Sequence, residues 1–234
     1  MSKRPRRTDL NGLMVVDKPR GPTSMDVVRR VRRHAGGAKT GHAGTLDPLA
    51  TGVLVCCLGR ATRTVPLIMA MAKTYAAVVD LAAFSDSDDA EGELQPVDVP
   101  TPPDPLEVHH ALQRHVGEIE QTPPAHSAVK IAGRRAYALA RQGQAPDMPP
   151  RIVRIDAISL ERYDWPELEI TVACGKGTYI RSLARQIGQA LHTGGHLAAL
   201  RRTAIGPYTV DAAWDFDKLP EPIEPEHLLA MPQP

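Results

Sequence analysis

Residues 41–54 read Gly-His-Ala-Gly-Thr-Leu-Asp-Pro-Leu-Ala-Thr-Gly-Val-Leu, placing a carboxylate, a histidine and two hydroxyls in a glycine-punctuated turn ahead of an apolar run. An ionised carboxylate can act as a nucleophile, and Asp47 is the only acid in that stretch. Gly41 and Gly44 widen the backbone choices around His42, Pro48 pushes Asp47 toward extended geometry, and Gly52 opens a run of strand length. An Asp-Pro turn that merely caps an element has the same local appearance, because Asp favours turns through its own side-chain hydrogen bonds. Company separates the two readings. A buried aspartate stays protonated unless a cation offsets its desolvation, and an arginine within about 4–6 Å lowers its pKa. Arg181, at the start of the clearest helical pattern in the chain, is the candidate cation. Tyr75 is an aromatic on a definite face of an expected strand.

Other chemistries are less well served. Residues 175–178, Gly-Lys-Gly-Thr, do not meet the pattern of a nucleoside-triphosphate loop, which needs Gly, four residues, then Gly-Lys-Ser/Thr. No Gly-x-Ser-x-Gly turn is present for a serine hydrolase. The nine histidines are scattered, and His109 and His110 point to different sides of a helix, so no metal set is expected. Cys56 and Cys57 are adjacent and Cys174 is far off, which gives neither a disulfide framework nor a zinc spacing and reads as small buried hydrophobes. No apolar run approaches the roughly 20 residues of a membrane span, and the basic start has no apolar region behind it. With 234 residues and 42% hydrophobic side chains, a soluble, cytoplasmic globular protein is expected.

The net charge of +1 hides segregation. Residues 1–33 carry ten Lys and Arg against three Asp, residues 130–154 carry six against one, and residues 174–206 carry five bases and no acid. Residues 84–107 hold eight acids and no base, and the last 22 residues are acidic again. Such blocks allow a basic face for a polyanion and an acidic face in water.

The elements that would position these groups follow from periodicity. Residues 13–16 read as a strand, a helix follows with Val27, Val28 and Val31 in one apolar arc, and residues 53–58 make a second strand. A helix through Met71 should bend or restart at Pro66. Residues 73–84 read as a strand with Tyr75, Ala77 and Val79 on one face, residues 85–105 as an acidic surface loop, 106–116 as a helix and 117–121 as a short strand. In the basic stretch that follows, 127–131 reads as extended and 134–141 as helical. Strands at 152–160 and 168–174 should pair, the helix 179–191 carries Ile180, Leu183, Ile187 and Leu191 as its core stripe, and 197–205 with 208–210 gives the last strands. Strands and helices without strict alternation favour α+β with a mixed sheet.

At this point the motifs become recognisable. The 41–54 stretch, preceded by Asp17-Lys18-Pro19-Arg20-Gly21-Pro22-Thr23-Ser24 and followed by Lys73-Thr74-Tyr75, resembles the TruB family of tRNA pseudouridine synthases. Gln121-Thr122-Pro123-Pro124, Ser127-Ala128-Val129-Lys130, residues 177–185 and Leu200-Arg201-Arg202-Thr203 extend the resemblance in order along most of the chain. It implies a pseudouridine synthase fold, a mixed central β-sheet flanked by helices and loops, with an RNA-binding insertion at about 123–151. It implies a basic flexible N-terminus at 1–10, a catalytic domain at 11–215, and an acidic proline-rich tail at 216–234 in place of a full C-terminal PUA domain. It further implies isomerisation of the uridine at position 55, in the TΨC loop of tRNA, with no cofactor or metal, by a protein expected to be a monomer. Matched residue by residue, Asp47 would be the nucleophile, Tyr75 would stack on the flipped uracil, and Arg181 would pair with Asp47. His42 would help hold the nucleotide out of its loop and Leu200 would pack near the base. Lys18, Lys73 and Lys176 match motif lysines suited to phosphate contact or support. Lys130 and Tyr179 fall in further matched motifs and are expected to face substrate. A tRNA-binding or folding factor with dispensable catalysis, and a synthase acting on another RNA, are the alternatives.

Overall fold

The structure, a computed structural model, describes residues 7–124, 130–131, 134–135 and 148–232. In chain order the elements are β1 (Gly12–Lys18), α1 (Ser24–His34), β2 (Thr40–His42), β3 (Thr51–Leu58), α2 (Val65–Ala70), β4 (Lys73–Asp80), β5 (Ala83–Ser85) and β6 (Leu94–Pro96). There follow α3 (Pro105–Gln113), β7 (Gly117–Gln121), β8 (Lys130–Ile131), β9 (Arg134–Arg135), β10 (Arg151–Asp164) and β11 (Glu167–Cys174). The last are α4 (Ile180–Leu191), β12 (His196–Ile205), β13 (Tyr208–Thr209) and β14 (Trp214–Asp215). Two units emerge, Met1–Tyr75 with Arg201–Pro234, and Ala76–Leu200.

The first unit is built on a mixed sheet. β1 and β3 pair antiparallel over their full length, β14 joins β1 in parallel, and Arg201 and Arg202 of β12 pair in parallel with Thr51 and Gly52. β1 and β3 are buried on both faces, so their near-continuous apolar runs feed two cores. On one side Met14, Val16, Leu54, Cys56 and Leu58 pack with Val27, Val28 and Val31 of α1. On the other, Leu13, Val15, Val53, Val55 and Cys57 pack with Ile68 of α2 and with Ile205. The neighbouring cysteines thus face opposite cores as free, buried thiols, and burial raises both, Cys57 to about 11. α1 starts where it does because Thr23 and Asp26 form a reciprocal capping box, and Arg32 and Arg33 sit in its last turn, where the helix dipole favours cations. The expected bend at Pro66 is a change of helix type: a 3₁₀ stretch, Gly59–Thr64, gives way to α2 with Pro66 in its first turn.

In the second unit β11, β10 and β7 form an antiparallel run, and α3 lies against both α4 and β10. Asp104 and Glu107 cap α3 with the same reciprocal box, and Pro105 takes its first position. α4 is apolar on one side, with Ile180, Leu183, Ala184 and Ile187 buried.

Four expectations change. The strand expected over 73–84 stops at Asp80, whose carboxylate accepts from the Ala82 amide at 2.7 Å and turns the chain into β5. The acidic stretch 85–105 is no simple surface loop: it contains the β5–β6 hairpin, and Asp88 and Asp89 are buried. Of the helix expected over 134–141, Arg134 and Arg135 are extended and pair with Ile131 and Lys130, and the rest lies outside the described residues. The acidic tail packs down: Leu219 and Ile223 join the core beneath α1, and Leu229 bridges to Leu13. Apolar residues spaced between prolines had carried that information, masked by the charge around them.

Candidate active site

Asp47 lies in the loop between β2 and β3, half-buried, with its carbonyl accepting from the Ala50 amide at 3.1 Å. The loop is held from three directions. Ser24, the first residue of α1, donates to the Leu46 carbonyl at 2.9 Å and accepts from the Leu46 amide at 2.8 Å. Lys18, fully buried at the end of β1, donates from Nζ to the carbonyls of Pro19, Pro48 and Ala50 at 2.8, 3.4 and 2.7 Å. Arg202, 2% exposed, donates from Nε to the Val53 carbonyl at 2.8 Å and from its Nη atoms to Thr45 and Gly44 at 3.4 and 3.1 Å. A buried cation that spends its donors on main-chain carbonyls fixes backbone, so the loop around Asp47 is preorganised by the sequence rather than by substrate. Gly52 is required at the foot of the loop: its φ is +99°, and a Cβ there would stand 2.2 Å from the Arg202 carbonyl oxygen. Beside it, Arg201 grips Asp17 with two Nη–carboxylate contacts of 3.1 and 2.7 Å.

His42, at the end of β2, is half-buried, and its Nδ1 is enclosed with no hydrogen-bond partner among the described residues. Burial, with the Arg202 charge adding to it, holds its pKa below the ordinary histidine value, against a backbone hydrogen bond at Gly44. A neutral imidazole with an open nitrogen is able to donate to, or accept from, an incoming nucleotide. Tyr75 lies on the inward face of β4 with Lys73, Ala77 and Val79, as its alternation predicted, and is 8% exposed. Lys73 is also buried and donates to the carbonyls of Met69 and Met71, both at 2.5 Å, closing the C-terminus of α2. Lys18 and Lys73 thus both direct their ammonium groups at main-chain carbonyls.

The remaining residues expected from the sequence belong to the second unit. Arg181, in the first turn of α4, is 6% exposed, and its Nη1 lies 3.2 Å from Asp89 Oδ2 and 3.3 Å from the Ser87 carbonyl. One turn on, Arg185 pairs with Asp88 and donates to the Thr122 carbonyl at 3.0 Å. Burial pushes the Asp88 carboxyl up, and the Arg185 charge pulls it back. The acidic stretch thus supplies two buried counter-charges to the helix that carries Arg181, a role that sequence composition alone disguised as a solvated loop.

Gln121, fully buried at the end of β7, sets the start of α4. Its Oε1 accepts from the Tyr179 amide at 2.9 Å and its Nε2 donates to the Tyr179 carbonyl at 3.1 Å. Ser182 and Gln186 add bonds to the Thr122 and Glu120 carbonyls, both at 2.8 Å. The Tyr179 ring is half-buried beneath the Arg151 guanidinium, whose carbon lies 5.4 Å from the ring centre. Lys176 is exposed in the turn before α4, and Leu200 is half-buried in β12. Lys130 begins β8, and its side chain lies outside the described residues. Sequence reasoning passed over Arg202, Gln121, Asp88 and Asp89. The first two stood inside quoted motifs, which was the available signal.

No group of histidine, cysteine or acidic side chains among the described residues could hold a metal ion, and no helix among them is long and apolar enough to cross a membrane. What the clamped loop offers chemically is one carboxylate on a fixed main chain, with a buried aromatic and a neutral histidine in the same unit.

Comparison with known proteins places this arrangement. Residues 32–180 match the family model described as TruB family pseudouridylate synthase (N terminal domain), and residues 181–228 match that of the tRNA pseudouridylate synthase B C-terminal domain. The tRNA pseudouridine synthase B of Arthrobacter sp. (strain FB24) is 47% identical over 221 residues, which cover 92% of this chain and 72% of that protein. The protein of the same name from Mycobacterium sp. (strain KMS) is 44% identical over 222 residues, covering 93% of this chain and 75% of its own. Among solved structures, a Cbf5-Nop10-Gar1 complex contains a chain 31% identical with a TM-score of 0.71; the match covers 93% of this chain and spans 56% of that one. A chain in an H/ACA RNP bound to a substrate RNA containing 2′-deoxyuridine is 28% identical, with a TM-score of 0.67 over 89% of this chain and 52% of its own. A family model that matches well over half of the residues and relatives similar along nine-tenths of them lead to one conclusion: the chain belongs to the TruB family of pseudouridylate synthases.

Proposed function

We propose that this protein converts the uridine at position 55, in the TΨC loop of tRNA, to pseudouridine, with Asp47 as the nucleophile. The observation that carries the proposal is the Asp47 loop itself, whose backbone is fixed by the carbonyl contacts of Lys18 and Arg202. In the reaction the bond from ribose C1′ to uracil N1 breaks, the base rotates, a bond forms from C1′ to C5, and the C5 proton leaves to solvent while N1 takes one up, so that the product is an isomer of the substrate. Asp47 is regenerated, whether it attacks C1′, takes a proton from C2′ or adds to the base.

The chain's own groups fit the demands of that sequence. Extruding a base costs on the order of a few kcal/mol, and stacking on an aromatic returns roughly 1–3 kcal/mol per base. Tyr75 provides that face, His42 holds the nucleotide outside its loop, and Leu200 packs near the base. Arg181 takes the part of the cation that keeps the nucleophile ionised, and its 3.2 Å contact with Asp89 sets the position of its guanidinium. Lys176, Lys130 and Tyr179 meet the RNA backbone. The protein acts as a monomer in the cytoplasm and without a cofactor.

Identity favours tRNA over an RNA presented by a ribonucleoprotein: relatives named tRNA pseudouridine synthase B stand at 44–47%, and the chains from the Cbf5 and H/ACA structures at 28–31%. The test is to incubate the protein with unmodified tRNA and map pseudouridine along it. The expected result is a single modified position, 55. Modification elsewhere with 55 untouched would overturn the assignment of substrate.

A further inference from the structure

Arg202 is a cation that solvent barely reaches, yet it stands beside a histidine expected to meet the substrate. Its Nη1 and Nη2 bond the carbonyls of Thr45 and Gly44, the turn into which the chain passes directly after His42 and Ala43. The guanidinium therefore sits where a positive charge acts on the imidazole as well as on the main chain. Its own backbone is fixed against the far limb of the same loop, since Arg202 pairs in parallel with Gly52, where a Cβ would meet the Arg202 carbonyl oxygen at 2.2 Å.

The ring of His42 is poorly placed to take a second proton. Its Nδ1 is enclosed and has no hydrogen-bond partner among the described residues, so an imidazolium would bury an N–H with no acceptor near a guanidinium. Burial and the Arg202 charge both favour the neutral form, and only the Gly44 main chain opposes them. The other titratable or charged groups around β2 come from four directions. On the paired strand, Cys56 stands opposite His42, its thiol kept protonated by burial. From α1, His34 is engaged by the Pro220 carbonyl at 3.1 Å and lies 3.4 Å from Glu221. Arg60 and Arg63, in the 3₁₀ stretch that packs on β2, are exposed. In the loop itself Asp47 is the one carboxylate, and Lys18 directs its ammonium at the carbonyls of Pro48 and Ala50.

We propose that Arg202 is a positioning residue for His42: the guanidinium holds the turn that follows the ring and excludes a second positive charge there, so that His42 meets the target nucleotide as a neutral group. The proposal rests on the reading that His42 holds that nucleotide. The distinction matters on RNA, because an imidazolium pairs with phosphate oxygens, whereas a neutral ring stacks on a base or shares a single hydrogen bond with it. Buried as it is, Arg202 acts through His42 and the loop rather than on the RNA.

The test compares the wild type with Arg202→Lys, which keeps the charge but cannot span three carbonyls, and with Arg202→Gln, which keeps a donor but loses the charge. His42 is titrated by NMR in each, with its signal assigned through His42→Asn, and kcat and KM for unmodified tRNA are measured across pH. In the wild type the His42 midpoint should lie below the ordinary value of about 6.5. Arg202→Gln should move that midpoint upward and carry the acid limb of kcat with it, whereas Arg202→Lys should leave both near their wild-type positions. Both variants should lower kcat, by up to about 10²-fold, and change KM less, because the turn is loosened. A wild-type midpoint at or above the ordinary value would overturn the proposal without recourse to any variant. So would equal midpoints and superimposable normalised pH profiles in the Lys and Gln variants, which would leave Arg202 a backbone clamp alone. If the wild type makes no pseudouridine at all, the functional reading fails, and the titration still decides whether Arg202 sets the charge of His42.

Discussion

At the residue scale, the feature that matters most is the use of buried cations as backbone clamps. Asp47 was visible in the sequence through its company, since an Asp-Pro turn by itself looks like an ordinary cap. Lys18 and Arg202 were visible only as motif letters, since burial of a charged side chain leaves no trace in composition and depends on which carbonyls tertiary folding brings within reach. The same limit hid Asp88 and Asp89, which stand among six further acids in residues 84–107 and look like any solvated run. Replacing Lys18 by Met would leave the carbonyls of Pro19, Pro48 and Ala50 without their donor, at about 1–3 kcal/mol for each group that stays buried. The expected outcome of Lys18→Met is a lower melting temperature together with a fall in kcat larger than any rise in KM. An unchanged kcat in a protein of normal stability would show that the loop does not need this clamp.

At the element scale, periodicity revealed most of the helices and strands, because α1 and α4 have clear apolar stripes and β1 and β3 are apolar throughout. Residues 117–121 were read as a strand, and β7 has those bounds. What periodicity could not show was how α4 is seated. Its N-terminus has no side-chain cap of its own, and Gln121 from β7 supplies both a donor and an acceptor to the Tyr179 backbone. Gln121→Ala is expected to lower stability by about 2 kcal/mol, measured by chemical denaturation, and to reduce kcat by displacing the start of the helix that carries Arg181. Gln121→Glu keeps the acceptor for the amide and loses the donor for the carbonyl, so a loss in both quantities smaller than that of Ala is expected. The C-terminal segment makes a second case. Read as an acidic tail, it instead seats Ile223, fully buried, under α1, where the Ile223 amide also donates to the His34 carbonyl at 3.0 Å. Ile223→Ala should cost about 2–4 kcal/mol by denaturation, whereas a free tail would show no change.

On the scale of the whole molecule, the α+β class and its mixed sheet followed from the interleaving of strand and helix patterns, and the family followed from motifs spread along nearly the whole chain. The division into two units was not foreseen, because its boundaries fall inside the runs that became β4 and β12 and no composition shift marks them. Charge segregation pointed to basic surfaces, but which bases are exposed required the fold: Lys176, Lys39, Arg60 and Arg63 are, and Lys18, Arg181 and Arg202 are not. Acid sensitivity is a molecular property as well. Burial depresses both His42 and His115 below the ordinary value, so the folded state prefers them neutral and the unfolded chain takes up protons first. Their contribution to stability is present above about pH 6.5 and is lost as the pH falls below it toward the folded values. The melting temperature should therefore drop between about pH 7 and pH 5.5, and more weakly in His42→Asn/His115→Gln. A wild type and variant with parallel pH profiles would contradict that.

All of this converges on one carboxylate. The most direct measurement uses unmodified tRNA tritiated at uracil C5, incubated with wild type and with Asp47→Asn, alongside tRNA binding by both. The wild type should release tritium to water, and the variant should release none while it binds tRNA with near-normal affinity. Full turnover by Asp47→Asn would contradict the assignment of Asp47 as the nucleophile, however well the loop around it is built.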